Sequence, residues 1–147
     1  MSKAPSNPVD IDLGGGFVLK GDLTEMLAIN LEDLPAQLAT HPGWTGYVGA
    51  LLVRAKRSQR EAEAARDNLA VSLDAVVRAR LTVGTKAPTE TSIRKEVEAT
   101  AEYQAMELEC LQLASLSAEI ENALLAYRDR TKALGEVSAL LRSTQSV

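Results

Sequence analysis

Arg54, Lys56, Arg57 and Arg60 place four cations within seven residues, with no carboxylate among them. Guanidinium and ammonium groups at that density are suited to neutralising phosphates and releasing the counterions condensed on a nucleic acid. Residues 54–95 carry ten basic and five acidic side chains, a balance of +5, whereas residues 96–127 carry seven acids and no base. A second basic cluster, Arg128, Arg130 and Lys132, is interrupted only by Asp129. Such a charge run also has a plainer reading. It can be a solvated helix face whose cations pair with neighbours such as Glu61 and Glu63.

Other chemistry has little to stand on. His41 is the only histidine, and with Pro42 after it the residue reads as the start of a helix. Cys110 is the only cysteine, so it has no intrachain disulfide partner and reads as a small apolar residue in a reducing compartment. No His/Cys cluster offers a metal site. Glu107 and Glu109 lie two apart on a helix and do not share a face. Gly14-Gly15-Gly16 is not followed by Lys-Ser or Lys-Thr, so it is no phosphate loop. Gly43, Gly46 and Gly49 would line one side of a helix and allow a close backbone approach. Trp44 and Tyr127 read as packing residues, not as stacking platforms. No catalytic residue, metal or cofactor is expected, and the chain does not read as an enzyme.

The elements that would position the cations are two long helices. Met106, Leu113, Ile120, Tyr127, Leu134 and Leu141 recur every seven residues, and Tyr103, Cys110, Ser117, Leu124, Thr131 and Ser138 fill the alternating positions. Spacing of 3 and 4 puts both sets on one stripe, the pattern of a coiled-coil seam. Upstream, Trp44, Val48, Leu51, Ala55, Ser58, Ala62, Ala65, Leu69, Ser72, Val76, Ala79 and Val83 follow the same alternation. Gly84 to Pro88 is a stop and turn, Thr89 caps a short helix to about Glu98, and Thr100 caps the second long helix.

A short connection folds two such helices back as an antiparallel hairpin. Position 54 then lies roughly opposite 130, and the two basic clusters form one band. Apolar residues off the seam, including Leu52, Leu73, Leu111 and Leu125, leave a second face to cover. An oligomer covers it, or else the N-terminal arm does. The expected fold class is all-α: a long antiparallel helical hairpin, coiled-coil-like and forming an oligomer, with a short irregular N-terminal arm. The arm spans 1–41 and the hairpin domain 42–147.

The arm alternates Val9, Ile11 and Leu13 with aspartates, pauses at the glycine triplet and resumes at Phe17, a pattern that also fits a small hairpin. Asp22 with Glu25 reads as a capping box, and Leu34-Pro35 as a short helical turn ending near Thr40. Six acids against Lys3 and Lys20 give residues 1–41 a charge of -4, the net charge of the whole chain. An acidic total disfavours a generic nucleic-acid binder, though segregated charge weakens that objection. Met1 to Pro8 has no apolar stretch, reads as a disordered tail and is no signal peptide. The apolar runs are too short to span a bilayer, and the expected location is cytoplasmic.

The order of short pieces resembles a known family. Leu34-Pro35 is followed by His41-Pro42-Gly43-Trp44 with Tyr47, then by Ala55-Lys56-Arg57. Pro88-Thr89-Glu90, Ala101-Glu102-Tyr103 and Tyr127-Arg128-Asp129-Arg130-Thr131-Lys132-Ala133-Leu134 come after. Over roughly residues 31–142 the chain is similar to the UvsY-like recombination mediators of bacteriophages. The resemblance implies a small, helical, oligomeric protein in the cytoplasm of a bacterial host. It implies binding to single-stranded DNA and help in loading a RecA-like recombinase onto strands coated by single-strand-binding protein. The DNA-binding residues Arg54, Lys56, Arg57, Arg60, Arg128, Arg130 and Lys132 come from charge, not from a family motif. The acidic arm reads either as a docking site for such a partner or as a solubilising tail. The alternative function is an oligomeric helical structural or assembly protein of a phage, without nucleic-acid binding.

Overall fold

The structure, a computed structural model, describes residues 5–145. The tail expected at residues 1–4, Lys3 included, and the last two residues lie outside that range. Two strands, β1 (Pro8–Asp12) and β2 (Val18–Asp22), precede four helices: α1 (Leu23–Met26), α2 (Leu34–Leu81), α3 (Glu90–Glu98) and α4 (Ala101–Gln145). The chain divides into two compact units. The first takes residues up to Ala55 together with those from Leu116 onward, and the second takes Lys56 to Ser115.

In the first unit the arm is ordered, not irregular, so the expected all-α class gives way to a helical fold with a small sheet. β1 and β2 pair antiparallel, with Val9 opposite Gly21 and Ile11 opposite Leu19. The period-2 alternation of the arm drives this: Val9, Ile11 and Leu19 point inward while the intervening residues face solvent. Gly14, Gly15 and Gly16 turn the chain with φ of 75°, 61° and 83°, a region that side chains disfavour. Residues 5–8 of the expected tail are also held, because Asn7 O accepts from Leu23 N at 2.8 Å and Pro5 O from Thr24 Oγ1 at 2.8 Å. The core joins Val9, Ile11, Leu19 and Leu23 to Val48, Leu51 and Ala55 of α2 and to Ile120, Ala123, Leu124 and Tyr127 of α4. Within this unit the arm therefore covers apolar surface of both helices.

The helix expected to begin at Pro42 begins at Leu34 and runs on through that proline. An interior proline removes one helical hydrogen bond and crowds the carbonyl four residues back, at about 3 kcal/mol. The neighbouring His41 is anchored at the same place. Its ring is buried, with Nε2 2.9 Å from both Tyr127 O and Thr131 Oγ1 of α4. His41 is thus a packing residue of the first unit, with bonds that favour continuing the helix.

In the second unit Thr89 caps α3, its Oγ1 accepting from Ser92 N at 3.2 Å. Ile93 and Val97 of α3 pack on Val77 of α2, with Tyr103 of α4 alongside. Arg78 joins Asp74 at 3.2 Å and Glu90 at 2.8 Å, which holds the Glu90 carboxyl below its usual range. Arg66 reaches Glu107 at 2.9 Å. Cys110 is buried, and that burial pushes its thiol pKa up. With Arg66 beside Glu107, and Leu73 and Tyr103 packed on the same apolar cluster, the α2 and α4 segments of this unit run antiparallel.

Along the expected seam of α4 the burial varies, and Thr131 is exposed. Cys110, Ser117, Ile120, Leu124, Tyr127 and Leu134 are buried, and Tyr103, Met106 and Leu113 are half-buried, but Leu141 is exposed. On α2 the expected stripe fails after Ala55. Ser58, Ala65, Ser72, Val76 and Ala79 of α2 face solvent, as does Val83 beyond its end. The inward line is instead Val48, Leu51, Ala55, Gln59, Ala62, Arg66, Leu69, Leu73 and Val77. From Val48 to Val77 it advances 29 positions in eight steps, a period of 3.6. A straight helix drifts about 20° per heptad from a 3.5 repeat, so a stripe read at 3.5 rotates out to solvent.

Candidate nucleic-acid interface

The seven cations picked from sequence have different surroundings. In the first unit Arg130 is consumed by the fold. Its Nε donates to Leu27 O at 3.0 Å, and Nη2 donates to Gln37 Oε1 at 2.8 Å and Ala28 O at 3.2 Å. Its Nη1 lies 2.9 Å from His41 Nδ1. A guanidinium can only donate, so His41 Nδ1 accepts and the ring proton sits on Nε2, facing Tyr127 O. Arg130 thus ties α4 to the segment between α1 and α2, which leaves little of its donor fork for a phosphate.

The other first-unit cations are more open. Arg128 is exposed and borders a shallow groove with His41, Pro42, Thr45, Gly46, Gly49, Leu124 and Thr131. Lys132 is exposed, 3.9 Å from Asp129. Arg54 sits with its guanidinium carbon 3.5 Å from the centroid of the Phe17 ring. A cation–π contact of this kind uses none of the N–H donors. A Cβ added at Gly43, Gly46 or Gly49 would meet nothing within 4 Å, so the close backbone approach expected there is not made.

The second unit holds the remaining three cations on the next turns of α2. Arg57 is 80% exposed and pairs with Glu61 at 2.9 Å, as the plainer reading of the charge run expects. Lys56 is half-buried and Arg60 is exposed. Glu63 accepts from Gln59 Nε2 at 3.0 Å. Between Asp33 and Glu61 the sequence has no carboxylate, so Arg54, Lys56, Arg57 and Arg60 end a long acid-free stretch of α2.

A feature that charge counting passed over lies on the first unit's flank. Trp44, expected in the seam, is 48% exposed. Its ring meets Tyr47 edge-on at 6.0 Å, and Tyr47 Oη bonds both Val18 N (3.0 Å) and Val18 O (2.8 Å). Trp44 and Tyr47 line an open groove with Val18, Ala39, Thr40 and Gly43. The sequence shows a tryptophan in an acid-free stretch, but its lack of cover is set by tertiary contacts. Tyr127, the other ring set aside at first, is buried and stacks on His41 at 5.9 Å, as a packing residue should.

Among the described residues no helix is long and apolar enough to cross a membrane, and no group of three or more His, Cys, Asp or Glu side chains could hold a metal ion. Comparisons with protein-family models, with curated proteins and with solved structures give no match.

Proposed function

We propose that this chain is a non-enzymatic recombination mediator that binds single-stranded DNA through sequence-independent phosphate contacts and acts as a homo-oligomer. Its partners would be a RecA-like recombinase and a single-strand-binding protein, in the cytoplasm of a bacterial host. The observation that carries the reading is the acid-free run of α2 ending in Arg54, Lys56, Arg57 and Arg60. Phosphates attract such a run, and the carboxylate that pairs with it, Glu61 on Arg57, lies just past its end. The ordered resemblance to UvsY-like mediators supports the same reading.

The test is binding to single-stranded oligonucleotides of several sequences at low and high salt. Affinity is expected to vary little with sequence and to fall with a logarithmic salt slope of about -0.7 per phosphate contact. Changing Arg54, Lys56, Arg57 and Arg60 together to Ala should weaken binding to all sequences alike and flatten the slope. Arg130 is kept in that variant because its loss would disturb the fold. An intact protein that ignores single-stranded DNA at low salt would remove the physical basis of the proposal.

The second reading, a structural or assembly protein, is favoured by apolar side chains left at the surface of α4. Leu108, Leu111, Leu125 and Leu140 are 56%, 60%, 51% and 66% exposed. Exposed apolar side chains at this density on one helix suit a partner surface. Light scattering showing an oligomer that does not bind DNA would favour this second reading.

A further inference from the structure

We infer that the flank of the first unit carrying Trp44, Tyr47, Phe17 and Arg54 is a nucleotide-stacking site, which takes a base of single-stranded DNA against Trp44 and a phosphate of the same strand at Arg54. The inference rests on the DNA-binding reading and gives it a location and a second kind of contact.

Trp44 is held as a platform. An indole placed for packing alone would be covered, yet this one is half-exposed. Its edge contact with Tyr47 fixes its plane, and Tyr47 is fixed in turn by two hydrogen bonds from its hydroxyl to the backbone of Val18. The space beside the ring is kept clear by small residues. Ala39, Thr40 and Gly43 line the groove, and a Cβ at Gly43 would touch nothing within 4 Å. None of the lining residues is charged, so a flat heteroaromatic ring enters without desolvating an ion.

The cation lies on the same side of α2. Tyr47 and Arg54 are seven residues apart, which puts them on one face of the helix, and both touch the start of β2 or the residue before it, Val18 and Phe17 respectively. From Trp44 to Arg54 the helix advances about 15 Å. That span suits a short run of nucleotides better than a single one. With its carbon over the Phe17 ring, the Arg54 guanidinium is positioned while its N–H groups remain available for phosphate oxygens. No carboxylate lies on α2 anywhere along this flank. Every base presents a π face, so such a site binds without regard to sequence.

Trp44 is the only tryptophan in the chain, so its emission reports on this site alone. Full-length protein is titrated with an oligo-dT strand at low salt, following indole fluorescence and, in parallel, the anisotropy of a labelled strand. Emission should be quenched in step with the anisotropy, and a duplex of equal length should quench little because its bases stay stacked. Trp44→Ala should weaken single-strand binding about 5- to 150-fold without changing the salt slope, because stacking releases no counterion. Trp44→Phe should restore most of the affinity. Arg54→Ala should both weaken binding and flatten the slope by about 0.7. Circular dichroism should confirm that each variant remains folded. If DNA binds with unchanged emission and Trp44→Ala binds like the parent, the site is wrong while the DNA-binding reading stands. Quenching as strong with duplex as with single strand would also overturn the stacking. If no strand binds at all, both readings fall.

Discussion

Asp22 caps α1 and gathers the segment before β1. Its carboxylate accepts from the Ser6 hydroxyl, from Asn7 N at 3.2 Å and from Thr24 N at 2.8 Å. The Ser6 bond contributes most to holding the Asp22 pKa at about 2, against an ordinary 3.8, and the two backbone bonds add to it. Because the folded value is depressed, the stabilisation is fully present above about pH 3.8 and is lost as pH falls through about 2. A carboxyl-carbon NMR titration should therefore place the Asp22 midpoint near 2, and Ser6→Ala should move it up. An ordinary midpoint with Ser6 intact would mean that the leading segment does not dock there. Residues of this kind were only half legible. The sequence marked Asp22 as a cap, but it could not show that Ser6 and Asn7 come back to it. Arg130 and Trp44 were misread for the same reason. Charge and ring type are written in the chain, while the Leu27 and Ala28 carbonyls that occupy one, and the missing cover over the other, are set by tertiary contacts.

At the scale of elements, the long helices and the turn between them were legible because punctuation and composition agree. Leu81 ends α2 just before Gly84, whose φ is 62°, and Thr89 and Thr100 cap the helices that follow. The phase of α2 was not legible, because alanines fit a 3.5 and a 3.6 period equally well. Ala62 lies on both lines, and the two periods part company at Ala65. Ala62 is 8% exposed, whereas Ala65 faces solvent. Ala62→Asp should destabilise the protein by at least about 2 kcal/mol, since it places an unpaired charge among buried neighbours. Ala65→Asp should be nearly neutral. Urea denaturation of the two variants decides the matter, and an Ala65→Asp variant as destabilised as Ala62→Asp would reinstate the heptad stripe. The N-terminal strands show the opposite case. Their alternation and glycine turn were readable, but an acidic composition argued for a loose arm. The three inward apolar residues, Val9, Ile11 and Leu19, outweighed the charge, which faces solvent on the other side of the strands.

At the scale of the molecule, the division of the chain has a temporal meaning. The first unit is assembled from both ends of the sequence, and the second is one uninterrupted stretch. A ribosome delivers Val9, Ile11, Leu19 and Leu23 well before part of their cover, Ile120 to Tyr127 of α4. Contacts so distant along the chain carry a large loop-closure cost and form late. Val77, Ile93 and Val97, by contrast, are neighbours within one stretch and can meet as soon as they emerge. In pulse-labelled hydrogen exchange during refolding, amides of α3 should gain protection before those of β1 and β2; the reverse order would contradict this sequence of events. Until α4 is made, the hairpin has only Val48, Leu51 and Ala55 of α2 to cover its apolar face, and such a half-covered surface can recruit other nascent chains. The aspartates spaced along β1 then acquire a role during synthesis. They keep β1 in solution while it waits for α4.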